Sequence, residues 1–160
     1  ISQPYIVALM TNLLNVQPND RILEIGTGSG YQAAILSRLC SHVFSIERFQ
    51  SLAFQAEKVI GKLGYDNITI VYKDGSLGFE EHSPFDGIII TAAAPSIPQP
   101  LIDQLKPGGR LITPVGNRSR QILQRLTKLP DGEIETDDLI PVVFVPLRGK
   151  CGWLPNNPDF

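Results

Sequence analysis

Apolar residues along this chain recur first at helical spacing and then in short runs, and the two patterns alternate through most of the sequence. Ile6, Val7, Met10, Leu13 and Leu14 share one helical face, so Tyr5 to Leu14 is predicted as an amphipathic helix with Pro4 in its first turn. It stops before the turn cluster Pro18-Asn19-Asp20. From there the pattern predicts a strand over Arg21 to Gly26, a helix over Tyr31 to Leu39, and a strand over His42 to Glu47. A longer helix over Gln50 to Leu63, closed by Gly64, and a strand over Asn67 to Tyr72 follow. After a loop carrying Asp74-Gly75 and Ser83-Pro84, Gly87 to Thr91 is an almost unbroken apolar run, as expected of a strand buried on both faces.

The pattern then changes. Ile97 to Leu105 reads as a short helix with Pro98 near its start and Pro107-Gly108-Gly109 as its terminator. Leu111 to Val115, Gln121 to Lys128 and Ile140 to Leu147 read as strands, divided by Gly116-Asn117 and Pro130-Asp131-Gly132. Strand and helix in alternation predict a doubly wound α/β fold: a mostly parallel sheet with right-handed crossovers, helices on both faces, and a closing antiparallel hairpin.

Composition narrows the function classes. A chain of 160 residues with 42% hydrophobic and 19% charged residues and a formal net charge of −2 suits one compact domain. The basic excess that drives phosphate-backbone binding is absent, so nucleic acid is not an expected partner. Apolar runs such as Ile88 to Ala94 are too short to cross a bilayer and no secretory signal opens the chain, so no membrane partner is expected and a cytoplasmic protein is the simplest reading. Cys40 and Cys151 lack metal-ligand spacing, His42 and His82 have no partner at such spacing, and no metal is expected.

The candidate chemistry begins where the first strand runs into Glu24-Ile25-Gly26-Thr27-Gly28-Ser29-Gly30 and then a helix. Glycines at alternate positions let the backbone turn sharply and let a ligand approach it, while the next helix presents its amides. Gly26, Thr27, Gly28 and Gly30 are therefore candidate cofactor-binding residues; the alternative is a tight turn with no ligand. A dinucleotide fingerprint would place its third glycine one residue later, and Glu24 would repel a pyrophosphate. The ammonium or sulfonium of S-adenosylmethionine would instead suit that carboxylate.

Two further acids follow two further strands. Glu47 ends the second strand, seventeen positions after Gly30, where it would accept hydrogen bonds from ribose hydroxyls; otherwise it is a solvated strand end. Arg48 beside it is divided evenly between site and surface. Asp74, followed by Gly75, would accept from an adenine amine while the glycine leaves room for the ring, although Asp-Gly alone is an ordinary turn. Thr91-Ala92-Ala93-Ala94-Pro95 closes the fourth strand, where open sheets bind substrates, and site and close packing weigh about equally there. Asp86 reads as a strand-entry residue rather than a catalytic acid.

Several strings together resemble the protein-L-isoaspartate O-methyltransferases along nearly the whole chain. They are Ile1-Ser2-Gln3-Pro4, Leu23 through Gln32, Ser45-Ile46-Glu47-Arg48, Pro84-Phe85-Asp86, Gln104 through Leu111, Pro114-Val115-Gly116 and Phe144-Val145-Pro146-Leu147. The resemblance implies a seven-stranded methyltransferase fold with S-adenosylmethionine as methyl donor. It implies as acceptor the free carboxylate of an L-isoaspartyl residue in a damaged protein, whose ester then closes to a succinimide. A carboxylate is already ionised at neutral pH, so this chemistry asks for positioning rather than a strong base. Ser2 matches the family's active-site serine, implied to orient the reacting group; by residue type it also fits an N-cap of the first helix. The family carries a longer segment ahead of Ile1-Ser2-Gln3-Pro4, so these 160 residues are expected to form a single domain without it. Positions Arg148 to Trp153 receive no role from the resemblance.

Three other readings share parts of this pattern: the same fold acting on another acceptor, a non-catalytic cofactor-binding domain, and a nicotinamide enzyme. The last is disfavoured by the glycine spacing and by Glu24.

Overall fold

A computed structural model describes residues 2–160; Ile1, which opens the first of the family strings, lies outside the described residues. In chain order the elements are α1 (Pro4–Leu14), β1 (Arg21–Ile25), α2 (Tyr31–Ser37), β2 (His42–Glu47), α3 (Gln50–Lys62) and β3 (Ile68–Tyr72). Two 3₁₀ turns, Gly75–Leu77 and Glu80–His82, precede β4 (Phe85–Ile90), α4 (Gln99–Asp103), β5 (Leu105–Gly116), β6 (Gln121–Lys128) and β7 (Ile134–Val142). The seven strands form one sheet in the order β3-β2-β1-β4-β5-β6-β7. Pairings from β3 across to β5 are parallel, while β5 with β6 and β6 with β7 are antiparallel.

Side chains alternate between two apolar layers because successive strand residues face opposite ways. Ile88 and Ile90 of β4 enter one layer with Phe85, Leu101 and Leu111, and Ile89 enters the other with Met10, Leu14, Ala33 and Leu36. Both faces of β4 are thus covered, which is why its sequence reads as a continuous apolar run. Helices α1 and α2 supply the second layer, and α4 with the loop residue Phe79 supplies the first.

The order of strands sets the site. From β1 the chain builds outward through β2 and β3, then returns to lay β4 on the other side of β1. That reversal opens a crevice beyond the carboxyl ends of β1 and β4, where open α/β sheets take their ligands.

Three sequence expectations change. The strand expected at Ile140 to Leu147 lies at Ile134–Val142. This is an edge strand whose Glu135, Asp137 and Asp138 face solvent, so it needs no apolar run and periodicity does not reveal it. The helix expected over Ile97 to Leu105 spans only Gln99–Asp103, and Leu105 already pairs with Phe85. Pro107-Gly108-Gly109 therefore does not terminate a helix: it forms an irregularity inside β5, where pairing jumps from Phe85–Leu105 to Gly87–Arg110. A Cβ on Gly109 would stand 2.7 Å from the Asp86 carbonyl oxygen, so the glycine permits the close passage. Lastly, the N-cap position of α1 is Gln3, with no side-chain cap bond, so Ser2 does not cap that helix and the proline at its start stands in the favoured place.

Candidate active site

The crevice holds a cavity of about 400 Å³, within the range of small-molecule sites. Its floor is the turn that leaves β1. Gly26 takes φ +100 because the chain must pass beneath Thr91, whose hydroxyl donates to the carbonyls of Gly26 at 2.7 Å and Ile25 at 3.1 Å. A Cβ on Gly26 would meet that hydroxyl oxygen at 2.4 Å. Gly28 at φ +53 has open space where its Cβ would stand, so a ligand can lie directly on the main chain.

Glu47, at the end of β2, reaches under the same turn. Its Oε2 accepts the Gly28 amide at 2.9 Å and its Oε1 accepts the Phe49 amide at 2.9 Å. Each oxygen keeps a lone pair for a hydroxyl in the cavity. Phe49 and Leu52 add an apolar wall at the start of α3, and Arg48 stands exposed at the rim.

Glu24 is fully buried within β1. Its Oε2 accepts the Ser45 hydroxyl at 2.5 Å, while Oε1 has no partner. Burial pushes this carboxyl up to about 8; the Ser45 hydrogen bond works against that shift and the charge of Glu47 adds to it. An unpartnered buried acceptor beside a cavity suits a ligand with a cationic group.

Of the residues singled out in the sequence, Ser2, Glu24, Gly26, Thr27, Gly28, Glu47, Arg48 and Gly75 all line this cavity. Gly30 does not: it sits at the N-cap of α2 with φ +82, facing Ile60 and Ala56 of α3. Asp74 is turned away too. Its Oδ1 accepts the amide and hydroxyl of Ser76, and its Oδ2 accepts the Lys150 amide at 2.8 Å. Partial burial opposes ionisation, but the bonds from Lys150 and Ser76 outweigh it and hold the carboxyl below its usual range. Ser76 Oγ in turn accepts the Cys151 amide at 3.0 Å. The segment of unassigned role, Arg148 to Trp153, is therefore strapped to the loop after β3.

The segment just before it walls the cavity. Val143 to Arg148 leave the sheet and cross the carboxyl ends of the strands, with the Ala93 amide donating to Val145 O and the Leu147 amide to Ala93 O, each at 2.8 Å. Ala92, Ala93 and Ala94 are buried beneath it, so the alanine run serves packing, while Thr91 and Ala92 also reach the cavity. Sequence reasoning missed the wall because Val143 and Val145 are 90% and 69% exposed and belong to no regular element. Two large apolar side chains on the surface beside a glycine loop are the signal that would have found it. Among the described residues no group of acids, histidines and cysteines is placed to hold a metal ion, and no helix is long and apolar enough to cross a membrane.

The family model for protein-L-isoaspartate (D-aspartate) O-methyltransferase (PCMT) matches residues 1–152. The chain belongs to this family. It is 57% identical over 150 residues to protein-L-isoaspartate O-methyltransferase 2 of Nitrosococcus oceani, covering 94% of this chain and 68% of that one. The Desulfotalea psychrophila protein-L-isoaspartate O-methyltransferase is 54% identical over 153 residues, covering 96% and 71%. A solved protein-L-isoaspartate O-methyltransferase superposes with a TM-score of 0.88 at 32% identity, over 95% of this chain and 49% of that one, so this chain spans about half its length. A Plasmodium falciparum protein of the same description, solved in complex with S-adenosyl-L-homocysteine, gives 0.76 at 31%, over 92% and 75%. The seven-stranded sheet with its antiparallel end is the fold of S-adenosylmethionine-dependent methyltransferases.

Proposed function

We propose that this chain methylates the free carboxylate of L-isoaspartyl residues in damaged proteins, with S-adenosylmethionine as donor, and so begins their repair through a succinimide. The match to the family model along residues 1–152 carries this reading. The cavity fits the donor: Glu24 offers an unpartnered oxygen suited to an ammonium, Glu47 offers acceptors for ribose hydroxyls, and Phe49 and Leu52 offer an apolar wall for a flat ring. When bound, S-adenosylmethionine supplies a methyl group made electrophilic by its sulfonium.

The residues of the chain then have only to place and shield. Gly26 and Gly28 let the ligand rest on the backbone, and Glu47 holds the Gly28 amide so that this floor stays rigid. Ser2, among the residues that line the cavity, presents a hydroxyl that can donate to the acceptor carboxylate and aim one oxygen at the methyl carbon. Val143 and Val145 exclude water from the line of transfer, and their exposure leaves an apolar ledge for the peptide flanking the damaged residue. No proton is removed from the acceptor, which is why no tuned base is required. The same reading places the enzyme in the cytoplasm, a reducing compartment that the free thiols of Cys40 and Cys151 suit.

The test is methyl transfer from labelled S-adenosylmethionine to two peptides that differ only in an isoaspartyl or an aspartyl link, read as base-labile ester. Selective labelling of the isoaspartyl peptide is expected. Equal labelling of both would replace this acceptor with a general carboxylate, and cofactor binding with no labelling of either would leave a binding domain.

A further inference from the structure

Behind the glycine loop, three buried side chains form an unbroken line of short hydrogen bonds. Ser45 Oγ lies 2.5 Å from Oε2 of Glu24 and 2.6 Å from Oγ1 of Thr27. Glu24 and Ser45 are wholly buried and Thr27 is 3% exposed. Ser45 owns a single proton, so it can donate to one neighbour only. With Glu24 ionised, Thr27 donates to Ser45 and Ser45 donates to Glu24. With Glu24 protonated on Oε2, the line reverses: Glu24 donates to Ser45, and Ser45 turns to Thr27.

The surroundings of Glu24 favour the neutral form while the cavity holds no cation. Burial pushes the carboxyl up to about 8, against the pull of Ser45 and with the push of Glu47 from β2. On the β4 side its neighbour is Ile89, and among the described residues no cation forms a salt bridge with it. Arg48 lines the same cavity but stands exposed at its rim.

We infer that Glu24 carries a proton in the ligand-free protein and releases it to solvent when the ammonium group of an amino-acid-type ligand enters the cavity, with Ser45 as the positioning residue whose hydroxyl turns to stabilise the new carboxylate. This rests on the cofactor-binding part of the proposed function. The step balances: a neutral carboxyl and the ammonium group of the ligand become an ion pair and one free proton. Direct contact is not needed, since a positive charge within about 4–6 Å lowers a carboxyl pKa by roughly 1–3. Starting from about 8, that releases about 0.4 to 0.9 proton per ligand at pH 7.

The experiment is calorimetric titration of the whole chain with S-adenosylhomocysteine at pH 7 in buffers of low and high ionisation enthalpy, which yields the protons exchanged on binding. Release of about 0.4 proton or more is expected. 5′-Methylthioadenosine, which lacks the amino-acid end, should bind with none. Glu24→Gln should abolish the release. Ser45→Ala should move the pH of greatest release upward, because the carboxylate has lost its donor, and Ser45→Thr should restore it; a merely structural role for Ser45 would leave that pH in place. Binding with buffer-independent heat in the wild type, or equal release in Glu24→Gln, overturns the inference and leaves the proposed function standing. Failure of S-adenosylhomocysteine to bind at any pH from 6 to 9 overturns both.

Discussion

Replacing Gly26 with alanine tests whether the floor of the cavity is fixed by its contact with Thr91. The new residue would have to hold φ +100, a region that costs a non-glycine residue about 1–3 kcal/mol. Its Cβ would also stand 2.4 Å from Thr91 Oγ1, so the hydroxyl must rotate away and give up its bonds to the Gly26 and Ile25 carbonyls. The single hydroxyl proton shared between the two carbonyls contributes roughly 0.5–1.5 kcal/mol, which brings the expected loss for Gly26→Ala to about 1.5–4.5 kcal/mol. Thr91→Ala alone loses only the hydrogen bonds. In the double variant the obstructing oxygen is gone, so the two losses should combine to about 1 kcal/mol less than their sum. The assay is urea denaturation of the four proteins at pH 7. Strict additivity would refute the steric argument and leave backbone strain as the whole effect. Gly28→Ala is the control: at φ +53 with nothing within 4 Å of its Cβ, it should lose about 1–2 kcal/mol of stability from backbone strain alone while weakening cofactor binding.

Other expectations rest on single side chains. For Glu24, whose folded value of about 8 lies above its unfolded value, the unfolded chain ionises first as pH rises. Stability should therefore fall from about pH 4.5 to about pH 8, by at most about 1.4 kcal/mol per pH unit, and then level off. Glu24→Gln should flatten that slope in denaturation curves, and parallel curves would count against it. Asp74→Ala should release the Lys150 amide, raising its hydrogen-exchange rate about tenfold or more, since a bond to a charged group contributes about 1.5–3 kcal/mol. In the wild type that protection should hold at neutral pH and fade only below the ordinary carboxylate range, because the Asp74 pKa is depressed. Ser2→Ala should lower the rate of methyl transfer about tenfold or more with cofactor affinity unchanged; a matching loss of affinity would move Ser2 from acceptor to donor side.

The parts of this molecule legible in its sequence are those where local chemistry and tertiary demand agree. The alternation of strand and helix up to β4 could be read because β1, β2 and β4 are buried apolar runs, the partly buried β3 is rich in β-branched residues, and the helices carry an apolar stripe. The glycine loop was legible since positive φ leaves few alternatives to glycine, and Glu47 was legible from its place after the second strand. Asp74 shows the limit. Its position after β3 was read as a ligand contact, yet which way the carboxylate turns depends on the neighbouring Ser76 and on the Lys150 amide, more than seventy residues further along the chain. Edge strand β7 and the wall from Val143 to Arg148 left no periodic signature, because Ile134 to Asp138 are exposed on both faces of the first and the second is not a regular element.

The cavity is lined from both ends of these 160 residues, by Ser2 and by Val143 to Arg148. Between them lie all seven strands, none of which needs either end for its own hydrogen bonding. During synthesis the sheet can therefore be complete before the site exists, and a chain clipped after Val142 would keep its strands and lose its cavity wall. Such a molecule would also give up the buried side chains of Leu147 and Trp153, so a cut at this point would cost stability together with the site.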